Sequence, residues 1–447
     1  MAVERANGVR WILAAVLASS VGILCAAGCR PTLDLEPRRE GRVLLLGIDG
    51  ATLRVVTPMI AEGRLPHLAS LSAQGVSGPL RSFPPFLSPR IWATIATGKV
   101  PEKHGIERWS RGSGGEGPRL YYSFDRRTPA LWNIASAAGL KVGVVNWLNT
   151  YPPERIEGVM VTDHAFPDDV ESQRWIGELL AGRELTEADE GEGGPVVFPP
   201  EWTPRLMAAS RSGAPLTRFS DPFEANDELP HWLFTHKLSE FFVRDRELVK
   251  IALEIEQGVH PGILMVLLQG IDRVSHSLWG TLEPADLYPE KLRPSARERR
   301  GGAAALETYY EYTDALLGVL LSRYGPDDLV MVVSDHGFEA GVAWHILTGV
   351  HKSEQARDGL IFARGPGVPV GQKATGMTVN DVTPTLLAWL GLPVADDMDG
   401  RVAAFLEAPA TDRVASYDGL PIERVTRLPS GLEEDIVRQL RELGYVQ

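Results

Sequence analysis

Three apolar runs of this chain close on an acid. VLLLGI leads into Asp49, ILMVLLQGI into Asp272 and LVMVVS into Asp335. One acid after a strand is ordinarily a helix cap or a turn residue. Three of them carry a different implication if the strands lie side by side, because ligands of open α/β sheets sit at the carboxyl ends of the strands. Carboxylates gathered there repel one another unless they are protonated or share a cation. Two histidines stand close by. His336 follows Asp335 directly, and His276 lies four residues beyond Asp272, on the same face if that segment is helical. Asp and His donors without cysteine suit zinc, and also manganese or iron.

Such a centre needs a group to act with it. Ser88 opens SPRIWATIATG, and Ser-Pro is a common helix start, with the serine as N-cap and the proline first in the helix. The same place puts a hydroxyl among free amides at the positive end of the helix dipole, where an anion such as phosphate is stabilised. Direct coordination by a metal would activate that hydroxyl as a nucleophile.

The elements that must position these side chains are legible as alternating apolar runs and punctuated helices. RVLLLGIDGA (42–51), KVGVVNW (141–147), GILMVLLQGI (262–271), LVMVVS (329–334) and LIFARG (360–365) read as strands buried on both faces. Continuous apolar character favours a mainly parallel sheet covered by helices. TPALWNIASAAG (128–139), TPTLLAWLG (383–391) and SPRIWATIATG (88–98) each start Thr-Pro or Ser-Pro and stop at glycine. The expected class is α/β, a three-layer sandwich with helices on both faces of the sheet. Residues 165–235 break the pattern with an acidic, then Gly- and Pro-rich stretch, and read as an insertion or lid. A second loop-like excursion covers 281–301, and LEEDIVRQLRELGYV near the end has helical spacing.

An apolar fraction of 44% places the chain among globular proteins. Its net charge of -13 gives no electrostatic attraction to nucleic acid, and no nucleic-acid partner is expected. The N-terminus has three parts: MAVERANGVR with two arginines, the apolar WILAAVLASSVGIL, and CAAGCR. That is the layout of a secretory signal peptide. Ala26, Ala27 and Gly28 before Cys29 resemble the lipobox of bacterial lipoproteins, which implies cleavage before Cys29 and acylation of its thiol. The apolar stretch also permits an uncleaved membrane anchor. Either way the body is expected outside the cytoplasm, in the cell envelope and tethered to the membrane. Cys25 and Cys29 are the only cysteines, so the folded body has no disulfide and no thiolate metal site. The expected layout is signal peptide 1–28, tether 29–41, catalytic domain 42–405 with its insertion near 165–235, and C-terminal extension 406–447.

Taken together, VLLLGIDGA, SPRIWATIATGKVPEKHGI, GIDRVSHSLWG, VVSDHGF, GVHKSEQARDGLIFARGPG and NDVTPTLLAWLGLPVADDMDGR resemble the type I phosphodiesterase/nucleotide pyrophosphatase branch of the alkaline phosphatase superfamily. The resemblance implies an alkaline-phosphatase-like fold and two divalent metal ions, zinc foremost, with manganese and iron as alternatives. It places Asp272, His276 and His351 on one ion and Asp49, Asp335 and His336 on the other, with Ser88 bridging both. His351 comes from the resemblance alone, through GVHKSEQARDG. The implied activity is hydrolysis of a phosphoric ester, small-molecule or lipid, through a phosphoseryl intermediate.

The chain departs from the nucleotide pyrophosphatase pattern at two places. Serine stands where those enzymes use threonine, and HGIERW lacks the asparagine that follows their HGI segment. Arg90 and Arg108 are the candidates for holding phosphate instead, bidentately. NTYPP (149–153) and His164 lie where a pocket wall or an ordinary loop would, and His104 reads as structural. Neighbouring chemistries fit less well. A sulfatase needs C/S-x-P-x-R, and SFPPF lacks the arginine. A phospho-group transferase of the superfamily typically carries several membrane spans. A non-catalytic surface lipoprotein leaves the full ligand set without a purpose.

Overall fold

The computed structural model describes residues 35–111, 119–165, 196–224, 226–229, 235–343, 347–408 and 412–423. The expected signal peptide, Cys29, His345 and the helix expected over LEEDIVRQLRELGYV lie outside them. Nine strands form one sheet: β1 (Val43–Ile48), β2 (Val76–Arg81), β3 (Val142–Trp147), β4 (Gly158–Thr162), β5 (Val197–Phe198), β6 (Ile263–Leu268), β7 (Leu329–Val333), β8 (Asp358–Arg364) and β9 (Gln372–Lys373). Their order is β9-β2-β8-β7-β1-β6-β3-β4-β5. The middle of the sheet is parallel, with Gly47 in register with Leu267 on one side and Val333 on the other. β8 runs antiparallel to both neighbours, and β5 closes the far edge antiparallel to β4.

β1, β3, β6 and β7 are buried along their whole length, as strands covered on two faces must be. On one face Leu44, Leu46 and Ile48 join a core with α1 (Leu53–Ala61), α2 (Pro66–Gln74), α5 (Thr235–Val259), α6 (Gly270–Leu278) and α7 (Ala296–Leu321). On the other lie α3 (Ser88–Thr97), α4 (Leu131–Ala137) and α8 (Val382–Leu390). Gly47 shows how closely that layer approaches. A Cβ there would come within 2.7 Å of the Trp92 ring, so only glycine lets the indole lie against the strand.

The helix stops are as expected. Gly98 and Gly391 end α3 and α8 in the left-handed conformation, and Gly139 follows α4 with positive φ. The helix starts are not. Leu87, Ala130 and Asp381 occupy the N-cap positions, so Ser88 and Thr383 lie inside their helices and Thr128 lies before its own. Thr383 uses its hydroxyl to bind the carbonyl of Ile95 on α3 (2.7 Å) instead.

Of the 165–235 segment, 166–195 lie outside the described residues. Val197, Leu206, Phe223 and Leu229 contribute to the main core. The 281–301 excursion consists of 3-10 turns until Ser295, which caps α7 in a reciprocal box with Glu298. The S-x-x-E signature of that start was present in the sequence. The tether ends against the body, with the Arg38 amide donating to the Leu390 carbonyl (2.9 Å). No helix among the described residues is long and apolar enough to cross a membrane.

Candidate metal centre

Asp49 is the first residue past β1. Each of its oxygens has one partner on α3: Ser88 Oγ donates to Oδ1 at 3.4 Å and Trp92 Nε1 to Oδ2 at 3.0 Å. Ser88 is the first residue of α3, followed by proline, and its hydroxyl also lies 3.5 Å from His336 Nε2. Asp335 sits two residues beyond β7, where Oδ1 accepts the Gly50 amide (3.2 Å). His336 Nε2 stands 3.3 Å from Asp335 Oδ2 and 3.5 Å from Asp49 Oδ1.

Asp272 is not at a strand end. β6 stops at Leu268, and Asp272 lies in the first turn of α6. The helix brings His276 onto the same face, with Nε2 3.5 Å from Asp272 Oδ1. His351 follows a hairpin of Glu339–Ala343 and Leu347–Val350. Its Nε2 lies 3.2 Å from His276 Nε2 and 3.9 Å from Asp272 Oδ1. Its ring stacks on His336 at 3.9 Å. All seven side chains thus belong to one connected cluster. Two overlapping sets have ligand atoms within 4.8 Å of one another: Asp49, Asp335 and His336, and Asp272, His336 and His351. Asp272, His276 and His351 are mutually as close, through the three distances just given.

The electrostatics fit a bound cation. Burial, then Asp272, pushes the Asp49 carboxyl up to about 7. Burial, then Asp49 and Asp272, holds Asp335 well above the usual carboxylate range. Burial lowers His336 to about 4 and His276 below its ordinary value. For His351, burial and then the two neighbouring imidazoles push it well below. The Asp49 and Asp335 carboxyls resist ionisation and the three imidazoles resist protonation, and a cation among them would favour the carboxylate forms. The carbonyls of Gly349 and Gly337 accept from Nδ1 of His276 (2.9 Å) and His336 (3.1 Å), which fixes the ring tautomers. Both Nε2 lone pairs then face carboxylate oxygens. Among the described residues, Asp272 Oδ1 and Asp335 Oδ2 are buried without a hydrogen-bond donor. Such oxygens and the facing imidazole nitrogens, gathered in one buried cluster, form a donor set for divalent metal.

The other candidates fall elsewhere. The Arg90 guanidinium lies 5.0 Å over the Phe83 ring, with Nε buried and lacking an acceptor among the described residues. Arg108 is exposed. Neither bonds to the seven among the described residues. His104 is fully buried, bonded to Thr94 and accepting the Ile106 amide, and burial lowers it to about 3. NTYPP and His164 meet one another. Asp163 accepts the amides of Asn149 (2.8 Å) and Tyr151 (3.1 Å), and His164 stacks flat on Tyr151 at 4.6 Å.

Sequence reasoning passed over Trp92 and Arg273. Trp92 could have been found as the residue one turn after Ser88. Arg273 had no signal beyond adjacency to Asp272. It is the one Lys or Arg within 4.0 Å of the three carboxylates among the described residues, 3.7 Å from Asp272 Oδ2.

A mostly parallel central sheet in an α/β layered fold thus carries this cluster of Asp and His side chains. Over that fold, residues 43–379 match the type I phosphodiesterase / nucleotide pyrophosphatase family, and the chain belongs to that family. No curated protein sequence matches it. Among solved structures, phosphonoacetate hydrolase from Sinorhizobium meliloti is 17% identical (TM-score 0.38), over 68% of this chain and 57% of that one. Phosphonate monoester hydrolase from Silicibacter pomeroyi is 16% identical (TM-score 0.44), over 81% and 76%. Human ectonucleotide pyrophosphatase / phosphodiesterase 5 is 12% identical (TM-score 0.47), over 82% of this chain and all of that one. The chain therefore spans little more than half of the first of these. At such scores the family match alone carries the assignment.

Proposed function

We propose that the protein hydrolyses phosphoric esters with Ser88 as nucleophile beside two divalent cations, zinc foremost. The observation that carries this reading is the Ser88 hydroxyl, 3.4 Å from Asp49 and 3.5 Å from His336 at the edge of the donor cluster. Asp49, Asp335 and His336 would hold one ion and Asp272, His276 and His351 the other. When bound, the cations would neutralise the carboxylates, polarise the phosphoryl oxygens and favour the serine alkoxide. Ser88 donates its proton toward Asp49 Oδ1, leaving the oxygen lone pairs open to phosphorus. Its Oγ–P bond forms as the bond to the leaving oxygen breaks, giving a phosphoseryl enzyme, and the proton given up by Ser88 is the one the departing alcohol takes. Water then attacks the same phosphorus as the Oγ–P bond breaks, and one of its protons returns Ser88 as the hydroxyl. Arg90, with its buried bare Nε, is the stronger candidate for steadying the substrate phosphate, ahead of Arg108.

The substrate class is a small-molecule or lipid phosphoric ester. The proposal extends to an exported lipoprotein of the cell envelope, acylated on Cys29. Metabolic labelling with an alkynyl fatty acid tests that part, and label surviving Cys29→Ala refutes it. For the chemistry, nitrophenyl monoesters and diesters are assayed with zinc or manganese. Ser88→Ala is expected to lose at least about 1,000-fold in kcat while binding its metal in full. Near-normal turnover by Ser88→Ala would refute the mechanism.

A further inference from the structure

Glu339 brackets His351 from both sides. Its backbone pairs with Val350, the residue before the histidine. Its carboxylate reaches past the histidine: the amides of Lys352 (2.8 Å) and Ser353 (2.7 Å) both donate to Oε1, and the Ser353 hydroxyl donates to Oε2. Glu339 is buried, at 7% exposure. It also stands three residues after His336, so one short segment fixes a donor on each side of the cluster. The opposite strand of the hairpin is tied to α6. Thr348 Oγ1 donates to the Ser277 carbonyl (3.0 Å), and the Gly349 carbonyl accepts from His276 Nδ1 (2.9 Å). A Cβ on Gly349 would stand 2.4 Å from the Ser275 carbonyl, so the hairpin is pressed against the helix that carries Asp272 and His276.

We infer that Glu339 is a positioning residue for the Asp272/His276/His351 cation, acting by reach rather than by charge. The inference rests on the two-cation reading above. A carboxylate that accepts three hydrogen bonds at 352–353 holds the His351 backbone against the helix bearing its two co-ligands. Glutamine can do nearly the same, because its Oε1 can keep both amides while its NH2 donates to the Ser353 hydroxyl, which then acts as acceptor. Aspartate keeps the charge but falls one methylene short.

The test is a Zn2+ titration of the stripped full-length protein by calorimetry with a competing chelator, alongside kcat and KM on a nitrophenyl ester. Glu339→Ala and Glu339→Asp are expected to weaken one of two sites about 10- to 100-fold and leave the other within about threefold. kcat should recover in excess zinc with KM nearly unchanged. Glu339→Gln should retain both sites. Two wild-type-like sites in Glu339→Asp, equal weakening of both sites, or loss of a site in Glu339→Gln overturns the inference. Should Glu339→Ala fail to fold, the Asp and Gln variants decide it. A wild type that binds fewer than two zinc ions overturns the two-cation reading itself, whereas two sites indifferent to Glu339 overturn only this inference.

Discussion

The two halves of the cluster are built differently. Asp49, Asp335 and His336 lie just past adjacent parallel strands and are sealed off, with exposures of 1%, 0% and 0%. Asp272, His276 and His351 come from a helix and from the chain after a hairpin, and His351 is only partly buried. A strand-end position is set by the sheet, whose central register leaves little room to move. A helix-and-hairpin position is set by individual hydrogen bonds, such as those of the Gly349 carbonyl and the Thr348 and Glu339 side chains, and can be loosened one bond at a time. The first half should therefore fail all at once, and the second by degrees.

The sharpest contrast is expected from amides in the two halves. Asp335→Asn should abolish turnover beyond rescue by added metal, yet raise the melting temperature of the stripped protein. A carboxyl held well above its usual range by burial is replaced there by a neutral group that can still accept the Gly50 amide. Asp272→Asn should lower turnover but recover in part with excess zinc. Thermal melts with and without chelator, together with zinc-dependent kcat, test both. Equal rescue of the two variants would erase the distinction between the halves.

The pH dependence of the stripped protein is the next largest effect. Asp49 titrates near 7 when folded and near 3.8 when unfolded. Its contribution is thus fully present below about pH 4 and is lost as pH rises through 7, a swing on the order of 4 kcal/mol. Asp245, buried on α5 and bonded to Tyr309, is raised to about 7 as well and has the same sign. Saturating metal should remove the Asp49 part of the slope and leave the Asp245 part, which Asp245→Asn removes instead. Melting temperatures from pH 4 to 9, with metal and with chelator, resolve the two. A slope indifferent to metal would mean that Asp49 is not a ligand.

Gly47→Ala should cost about 1–3 kcal/mol and reduce kcat, since the Trp92 ring must withdraw from β1 and from Asp49. Intact turnover would show that the indole bond to Asp49 is dispensable. The smallest effects are expected at the arginines. Arg90→Ala should raise KM about tenfold by loss of a charge-assisted contact, and Arg108→Ala should change it less than about threefold. The reverse ranking would move the phosphate anchor to Arg108.

The central strands were legible because burial on both faces leaves an unbroken apolar run, as in LVMVV. The helix ends at Gly98 and Gly391 were legible because a left-handed residue there strongly favours glycine. Helix starts were less so, since a hydroxyl such as that of Ser88 or Thr383 can serve a tertiary partner instead of an amide. Peripheral strands such as Val76–Arg81, which contains Gly and Pro and lies beside the edge strand Gln372–Lys373, lack the apolar signature. Within the site, Asp49, Asp335 and His336 were visible from strand endings alone. His276 needed the helix to form, and His351 needed a hairpin whose pairing no local pattern announces. Trp92 was open to discovery as the residue one turn after Ser88, whereas Glu339 acts through contacts across the hairpin that its spacing in the chain does not announce.

Ser88 and Trp92 stand one turn apart on α3, and each holds one oxygen of Asp49. Asp49 belongs to the end of β1, so these two bonds tie the start of α3 to the sheet at both oxygens of one carboxylate. A shift of the outer layer against the sheet would have to lengthen both bonds, and it would disturb the aim of the serine through the same side chain that anchors the helix.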